Sequence, residues 1–202
     1  MIIMNKSLDI EFVRNKFPVF QNSKTKDLAF FENAGGTYVP DTVINKLNKF
    51  MTETKVQPYG DFSSSIKAGD EMDNSINKIA ELLNIGKDEF IIGPSTTMNM
   101  FLLSQGIKHW LDKGDEIIVT NQDHEANIGA WRKLSEEEIT IQEWKLNKDS
   151  AELEIEDLRS LINEKTKIIC VCHTSNIVAS INNLSEIVDL AHQNNIKVVG
   201  DG

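Results

Sequence analysis

Four polar stretches in the sequence combine residue types that can bind a ligand or move a proton. Gly93–Thr97 brings three hydroxyls to the start of a helical pattern, and the other stretches contain His124, Asn176 and Asp201. Hydroxyls and unpaired amides at a helix amino terminus suit a phosphate. A histidine can stack on a planar ring and transfer protons. An aspartate that ends an apolar strand is costly to bury unless it meets a cation, and a ligand can supply that cation.

Each stretch also has a simpler interpretation when it is taken alone. Ser95, Thr96 and Thr97 could only cap a helix, and His124 could cap a helix or lie exposed. A zinc-protease motif of the form H-E-x-x-H fails at His124 because Ile128 occupies the second histidine position. No Walker or G-x-G-x-x-G motif occurs, so we expect no metal site and no nucleotide fold.

The elements that must position these residues alternate in type after Glu89. Short apolar runs predict strands at Phe90–Ile92, Ile117–Val119, Ile139–Trp144, Ile168–Val171 and Val198–Val199. Apolar residues every three or four positions predict helices around Asn99–Leu111, Asn127–Glu137, Ile155–Ile162 and Leu184–Gln193. Such alternation predicts an α/β fold, a mostly parallel sheet with helices on both faces. Ligands of such sheets bind beyond the carboxyl ends of the strands, where these polar stretches fall.

The first part of the chain is predicted to be helical. Residues 7–20 suit a short helix closed at Pro18, and a second helix is predicted to be capped by Asp41-Thr42. A third helical pattern ends before Gly86. We therefore predict an amino-terminal arm and helix over residues 1–40 and a partial large domain over residues 41–202.

Composition narrows the class of protein. The 202 residues carry a net charge of -10, which argues against a nucleic-acid partner. No apolar run has the roughly 20 residues that cross a bilayer, and the start lacks the features of a signal peptide, so we expect no membrane partner and a cytoplasmic location. The two cysteines, Cys170 and Cys172, alternate along a predicted strand and are expected to be small core residues.

Several motifs in order along the chain resemble one known family. The stretch Phe31–Thr37 is similar to the D-N-A-A-x-T opening of class V aminotransferases and cysteine desulfurases. The remaining motifs are Tyr59–Ser63, Thr96-Thr97, Asp123–Asn127, His173–Asn176 with Ile181-Asn182, and Gly200–Gly202. The resemblance covers about residues 27–202 and is nearest to a cysteine-desulfurase-like subgroup.

The resemblance implies the large domain of a fold-type-I enzyme that uses pyridoxal 5′-phosphate (PLP). By this resemblance Thr96 and Thr97 would hold the PLP phosphate, and Asp201 would pair with the protonated pyridine nitrogen. His124 would stack on the pyridine ring and serve in proton transfer as a catalytic residue. Asn176 would hydrogen-bond the ring hydroxyl.

The same resemblance sets expectations about the reaction. Asn33 and Ala34 would contact a small amino-acid substrate, and the complete protein would be a homodimer. The Schiff-base lysine of the family falls in a later motif, and Lys167 and Lys197 match no family position. We therefore expect a fragment, incomplete at its carboxyl end, that has no turnover of its own. A fragment of another class V aminotransferase or PLP lyase, or a noncatalytic remnant, stays open as an alternative.

Overall fold

The computed structural model describes residues 8–202, which group into two compact units, one that ends at Ile91 and one that spans Ile92–Gly202. The domain boundary predicted at residue 40 stays a prediction, because the two units are defined by their internal contacts and not by function. Within residues 8–202, no helix combines the length and the apolar character needed to cross a bilayer.

The first unit begins with a short helix. Helix α1 spans Ile10–Asn15, and the Asp9 carboxylate caps it by accepting the Phe12 amide at 2.9 Å. A single 3₁₀ turn, Pro18–Phe20, follows as the proline predicts, whereas the predicted first residue, Ser7, lies outside the described residues.

Two longer helices complete the first unit. Helix α2 spans Asp41–Lys49 and continues as a π-helical turn over Phe50–Thr54. The predicted Asp41-Thr42 cap is wrong, because Pro40 precedes the helix and Asp41 is its first residue, where its charge favours the helix dipole. Helix α3 spans Ser63–Leu83 and ends at Asn84, which takes the left-handed conformation usual after a helix (φ 55°).

The second unit contains a four-stranded sheet in which every pair of neighbours is parallel. Its strands are β1 Glu116–Thr120, β2 Thr140–Trp144, β3 Thr166–Cys172 and β4 Lys197–Asp201, and their order across the sheet is β2-β1-β3-β4. The predicted α/β class and parallel sheet are confirmed. Because β1, β3 and β4 are neighbours, the segments that follow them share one edge.

Helices cover both faces of this sheet, as predicted. They are α4 Thr96–Ile107, α5 Glu125–Arg132, α6 Ile155–Leu161 and α7 Leu184–Gln193. Along β1 the side chains alternate, so Ile118 packs in one buried cluster with α6 and α7. Ile117 and Val119 pack in the other cluster with Trp131 of α5. Burial on both faces explains why β1 and β3 are apolar almost throughout.

The predicted strand Phe90–Ile92 is wrong. The segment has no strand partner among the described residues, and Ile91 and Ile92 are 86% and 67% exposed. An apolar run is necessary for a buried strand, but it also needs a neighbouring strand for its backbone groups. The turn at Gly93–Thr97 therefore follows an irregular segment.

The packing predicts the stability cost of a core truncation. Leu158 of α6 is fully buried in the first cluster, so Leu158→Ala should lower the free energy of unfolding by about 2–5 kcal/mol. Leu102→Ala, on the exposed side of α4, should change it by no more than about 0.5 kcal/mol. Urea denaturation monitored by circular dichroism measures both values. Equal effects of the two substitutions would contradict the packing described.

Candidate functional site

Parallel pairing brings three of the predicted polar stretches to one edge of the sheet. The register pairs Cys172, the end of β3, with Asp201, the end of β4. The His173 amide donates to the Asp201 carbonyl at 2.6 Å, which extends this pairing one residue beyond β3. The turn that carries His124 follows β1, the neighbour of β3 on its other side. The edge thus collects the His124 turn, the Asn176 loop and Asp201.

His124 caps helix α5. Its Nδ1 accepts the Ala126 amide at 3.0 Å, so the capping interpretation from the sequence is confirmed. A backbone amide can only donate, and therefore a neutral His124 ring carries its proton on Nε2. Capping and ligand binding are compatible, because the cap occupies one ring nitrogen and fixes the ring while Nε2 remains a donor.

Asp123 lies beside His124 and is held by two side chains. The Thr120 hydroxyl donates to Oδ2 of Asp123, and Nδ2 of Asn127 donates to Oδ1 at 2.6 Å. The Asp123 amide in turn donates to the Thr120 hydroxyl oxygen at 3.1 Å. This carboxylate was not among the residues predicted from the sequence. Its bonds fix a negative charge at the carboxyl edge of the sheet.

Asp201 is half-buried in a negative environment. Burial raises the pKa of its carboxyl group, and the negative charge of Asp123 raises this pKa further. His124 acts in the opposite direction on the same pKa. No lysine or arginine among residues 8–202 forms an ion pair with Asp201. The site therefore favours a cationic ligand group at this carboxylate, and a protonated pyridine nitrogen fits that need.

The start of helix α4 offers backbone donors to an anion. The Ser95 hydroxyl accepts the Met98 amide at 3.2 Å, which confirms Ser95 as a helix cap. Thr96 and Thr97 are exposed, and their amides belong to the first turn, which lacks intrahelical acceptors. Helix α4 packs against α5, the helix that His124 caps. This terminus suits a phosphate.

The remaining predicted residues lie on loops. Asn176 is exposed in the loop between β3 and α7. Asn33 lines a cavity of about 410 Å³ inside the first unit, and Ala34 is its exposed neighbour in the chain. Asn33 and Ala34 thus belong to a different unit from the sheet edge, and their contact with substrate stays a prediction.

Two cysteines and two lysines lie on strands of the sheet. Cys170 and Cys172 are buried as predicted; burial raises the pKa of both thiols, that of Cys172 to about 11. Neither is a thiolate nucleophile at neutral pH. Lys167 and Lys197 lie at the amino ends of β3 and β4, away from the carboxyl edge. Across residues 8–202, no three His, Cys, Asp or Glu side chains gather as a metal site.

Comparison with known proteins identifies the family. The model of aminotransferase class-V matches residues 29–202. The chain belongs to the class-V aminotransferase family. Members of this family and cysteine desulfurases depend on PLP, which is therefore the cofactor of the fold. The negative edge at Asp201 and the free amides of α4 fit a cofactor with one cationic ring nitrogen and one phosphate.

Individual relatives agree with this assignment. An aminotransferase-like protein, FGM3, of Gibberella zeae is 35% identical over 94% of the chain and 47% of its own length. A cysteine desulfurase of Serratia proteamaculans is 31% identical over 97% of the chain and 49% of its own length. The chain thus spans about half the length of the curated relatives it matches.

Solved structures support the fold. The apo cysteine desulfurase of Thermococcus onnurineus matches with a TM-score of 0.88 at 20% identity, over 98% of this chain and 48% of that chain. The cysteine desulfurase CsdA of Escherichia coli matches with a TM-score of 0.84 at 21% identity, over 98% of this chain and 49% of that chain. The PLP fold type I predicted from the sequence is confirmed.

The raised pKa of Asp201 predicts how stability depends on pH. The folded chain holds this proton more tightly than the unfolded chain, so the stabilising contribution is full below about pH 3.8 and is lost as the pH rises through the folded pKa. Asp201→Asn should therefore gain stability relative to the wild type as the pH rises from about 4 to 7. Asp189→Asn, an exposed substitution on α7, is the control and should show no such gain. Urea midpoints at several pH values test this, and parallel pH profiles for all three proteins would contradict it.

Proposed function

We propose that residues 92–202 carry the PLP-binding edge of a cysteine-desulfurase-like enzyme that acts on an amino acid. The family assignment supports the cofactor, and the half-buried Asp201 beside Asp123 supports its orientation. The uncompensated carboxylate is the observation that carries the proposal. A cationic ring nitrogen would offset the free-energy cost of burying this carboxylate, whereas a neutral ligand would not.

Each residue of the edge has a role in this proposal. Asp201 would keep the pyridine nitrogen protonated, and the Thr96 and Thr97 amides would hold the phosphate through the positive end of helix α4. Asn176 would donate a hydrogen bond to the ring hydroxyl. When bound, PLP supplies an electron sink for negative charge that develops on the substrate.

His124 would serve as the proton-transfer group. Its Nδ1 is engaged by the Ala126 amide, so proton movement would occur at Nε2. The same hydrogen bond fixes the ring at the first turn of α5, which would let one face of the imidazole stack on the planar cofactor. A catalytic histidine with a fixed ring loses less entropy on stacking than a free side chain.

The substrate and assembly of the whole protein belong to the same proposal. Relatives named as cysteine desulfurases favour cysteine as the amino acid, with Asn33 and Ala34 as substrate contacts. The complete protein would form a homodimer. Lys167 and Lys197 are proposed not to act as the Schiff-base lysine, and residues 1–202 alone are proposed to release neither sulfide nor alanine from cysteine.

Amino transfer is the second candidate function. The Gibberella relative is named as aminotransferase-like and is 35% identical, above the 31% of the Serratia desulfurase. Both candidates share the same cofactor edge, so they differ in substrate chemistry and not in the roles of Asp201 or His124. Product analysis of the whole protein with cysteine, for sulfide and alanine against the keto acid of transamination, separates them.

Binding of pyridoxamine 5′-phosphate tests the cofactor edge directly. This cofactor form lacks the aldehyde and cannot attach to surface lysines, so calorimetry reports the noncovalent site. Asp201→Asn should weaken binding by about 10- to 100-fold, because it removes a charged partner of the ring nitrogen. Asp189→Asn, on the exposed surface of α7, should leave the affinity unchanged.

A comparison of pyridoxamine with pyridoxamine 5′-phosphate tests the proposed phosphate contact. Pyridoxamine without its phosphate should bind to the wild type more weakly than the phosphorylated form, because it leaves the amides of Thr96 and Thr97 unused. An Asp201→Asn variant with wild-type affinity, or equal affinities for the two ligands, would contradict the proposed function.

A further inference from the structure

Gln122 is a buried glutamine two residues before His124, with 4% of its surface exposed. Its Nε2 donates to the Ser180 hydroxyl at 2.7 Å and to the Ala151 carbonyl at 3.1 Å. Its Oε1 accepts Nδ2 of Asn182 at 2.7 Å. The same oxygen also accepts the Cys172 thiol, with Sγ at 3.7 Å. Both amide hydrogens and both acceptor positions of the side chain are thus used.

Main-chain carbonyls fix the orientation of both amide groups. The Ala151 carbonyl can only accept, so the nitrogen of Gln122 must face it. Nδ2 of Asn182 likewise faces the Cys172 carbonyl at 2.8 Å. The Gln122 oxygen is therefore directed to the Asn182 nitrogen, and the pair can form in only one way.

Gln122 contacts the loop that carries Asn176. This loop, residues 173–182, is closed on itself by an antiparallel bridge between Thr174 and Ile181. The Ser175 amide also donates to the Ser180 carbonyl at 3.0 Å. Ser180 lies in the returning arm of this closed loop. The hydrogen bond from Gln122 to its hydroxyl therefore anchors the loop to the segment that precedes His124.

Ser175 provides a second connection between the same two segments. Its hydroxyl donates to the backbone carbonyl of Gln122 at 3.3 Å. The same oxygen accepts the amides of Ile177 and Val178, each at 3.3 Å. Ser175 precedes Asn176, and the two amide donors follow it. The backbone on both sides of Asn176 is therefore connected through the Ser175 hydroxyl to Gln122, the residue that precedes the Asp123-His124 turn.

We propose that Gln122 is a positioning residue of the cofactor site, which fixes the Asn176 loop relative to His124. This inference rests on the proposed function, because that function makes the Asn176 loop and the His124 turn bind the same cofactor. Gln122 does not itself touch the cofactor in this proposal. It acts by setting the distance between the residue proposed to hold the ring hydroxyl and the residue proposed to stack on the ring, a distance on which orientation depends.

Gln122→Met removes every hydrogen bond of the side chain while nearly preserving its length and volume. Thr166→Val is the matched control. Thr166 is also buried, at 3% exposure, and its hydroxyl accepts the Asn163 amide at 3.1 Å, but it lies at the amino end of β3. Gln122→Met leaves buried polar groups of Asn182 and Ala151 without a partner, and Thr166→Val leaves the Asn163 amide without its acceptor, so both should lower global stability.

Hydrogen exchange measured by mass spectrometry tests the connection without any cofactor. In Gln122→Met, peptides that cover residues 173–182 should exchange roughly tenfold faster than in the wild type. Thr166→Val should leave this loop unchanged. If the loop exchanged at the wild-type rate in Gln122→Met, Gln122 would not position it and the inference would be wrong.

A double-mutant cycle on pyridoxamine 5′-phosphate binding tests whether Gln122 acts through Asn176. Gln122→Met should weaken binding roughly five- to tenfold, but it should add little to the weakening already caused by Asn176→Ala. Thr166→Val should not change binding, although it lowers stability. Losses that multiply in the double variant would overturn the inference.

The two experiments separate this inference from the proposed function. A wild-type chain that fails to bind pyridoxamine 5′-phosphate would contradict the proposed function, whereas the exchange experiment would still decide whether Gln122 fixes the loop. A wild type that binds, with unchanged exchange and affinity in Gln122→Met, would support the function and overturn the role of Gln122.

Discussion

Parallel pairing of β3 with both β1 and β4 is the constraint on which the rest of the second unit depends. All three strands end at the same edge, so residues far apart in sequence become neighbours there. The pairing is stabilised by burial of both faces of β1 and β3, to which helices α5, α6 and α7 contribute. The polar residues of this edge therefore follow strands whose side chains form the apolar core.

The edge itself contains interactions that do not favour stability. Burial raises the pKa of Asp201, and the negative charge of the nearby Asp123 raises this pKa further. A chain optimised for stability alone would place an amide or an apolar residue at Asp201. In the proposed function, a cofactor with a cationic ring nitrogen would offset this cost when it binds. In the same way, the first turn of α4 leaves the Thr96 and Thr97 amides available to an anion.

The sequence predicted those parts that depend on local pattern. Alternation of apolar runs and helical spacing predicted β1 to β4 and their helices, because burial on both faces requires such patterns. It failed at Phe90–Ile92, since an apolar run cannot reveal whether another strand pairs with it. It also assigned the α2 cap to Asp41, one residue inside the helix that follows Pro40. Both errors concern the backbone partners of a residue, which its neighbours in sequence do not specify.

Only some residues of the candidate site could be predicted from the sequence. His124 and Asp201 could be assigned to one edge from their positions after strands, and the family resemblance gave their proposed roles. Asp123 was identified only as part of the Asp123–Asn127 motif, without a role of its own. Gln122 was missed, because nothing in a single sequence indicates that it reaches Ser180 and Asn182 across 58 and 60 positions. Contacts between two loops depend on strand order and register, which become known only with the fold.

Chemical-shift mapping of the ¹⁵N-labelled chain by NMR would test the central claim most directly, with pyridoxamine 5′-phosphate as ligand and inorganic phosphate as a comparison. A PLP edge predicts perturbed amides at Thr96 and Thr97 with both ligands, and at His124, Asn176 and Asp201 with the cofactor form alone. Perturbations centred on the opposite edge, at the amino ends of β3 and β4, would contradict the claim, as would an unperturbed spectrum.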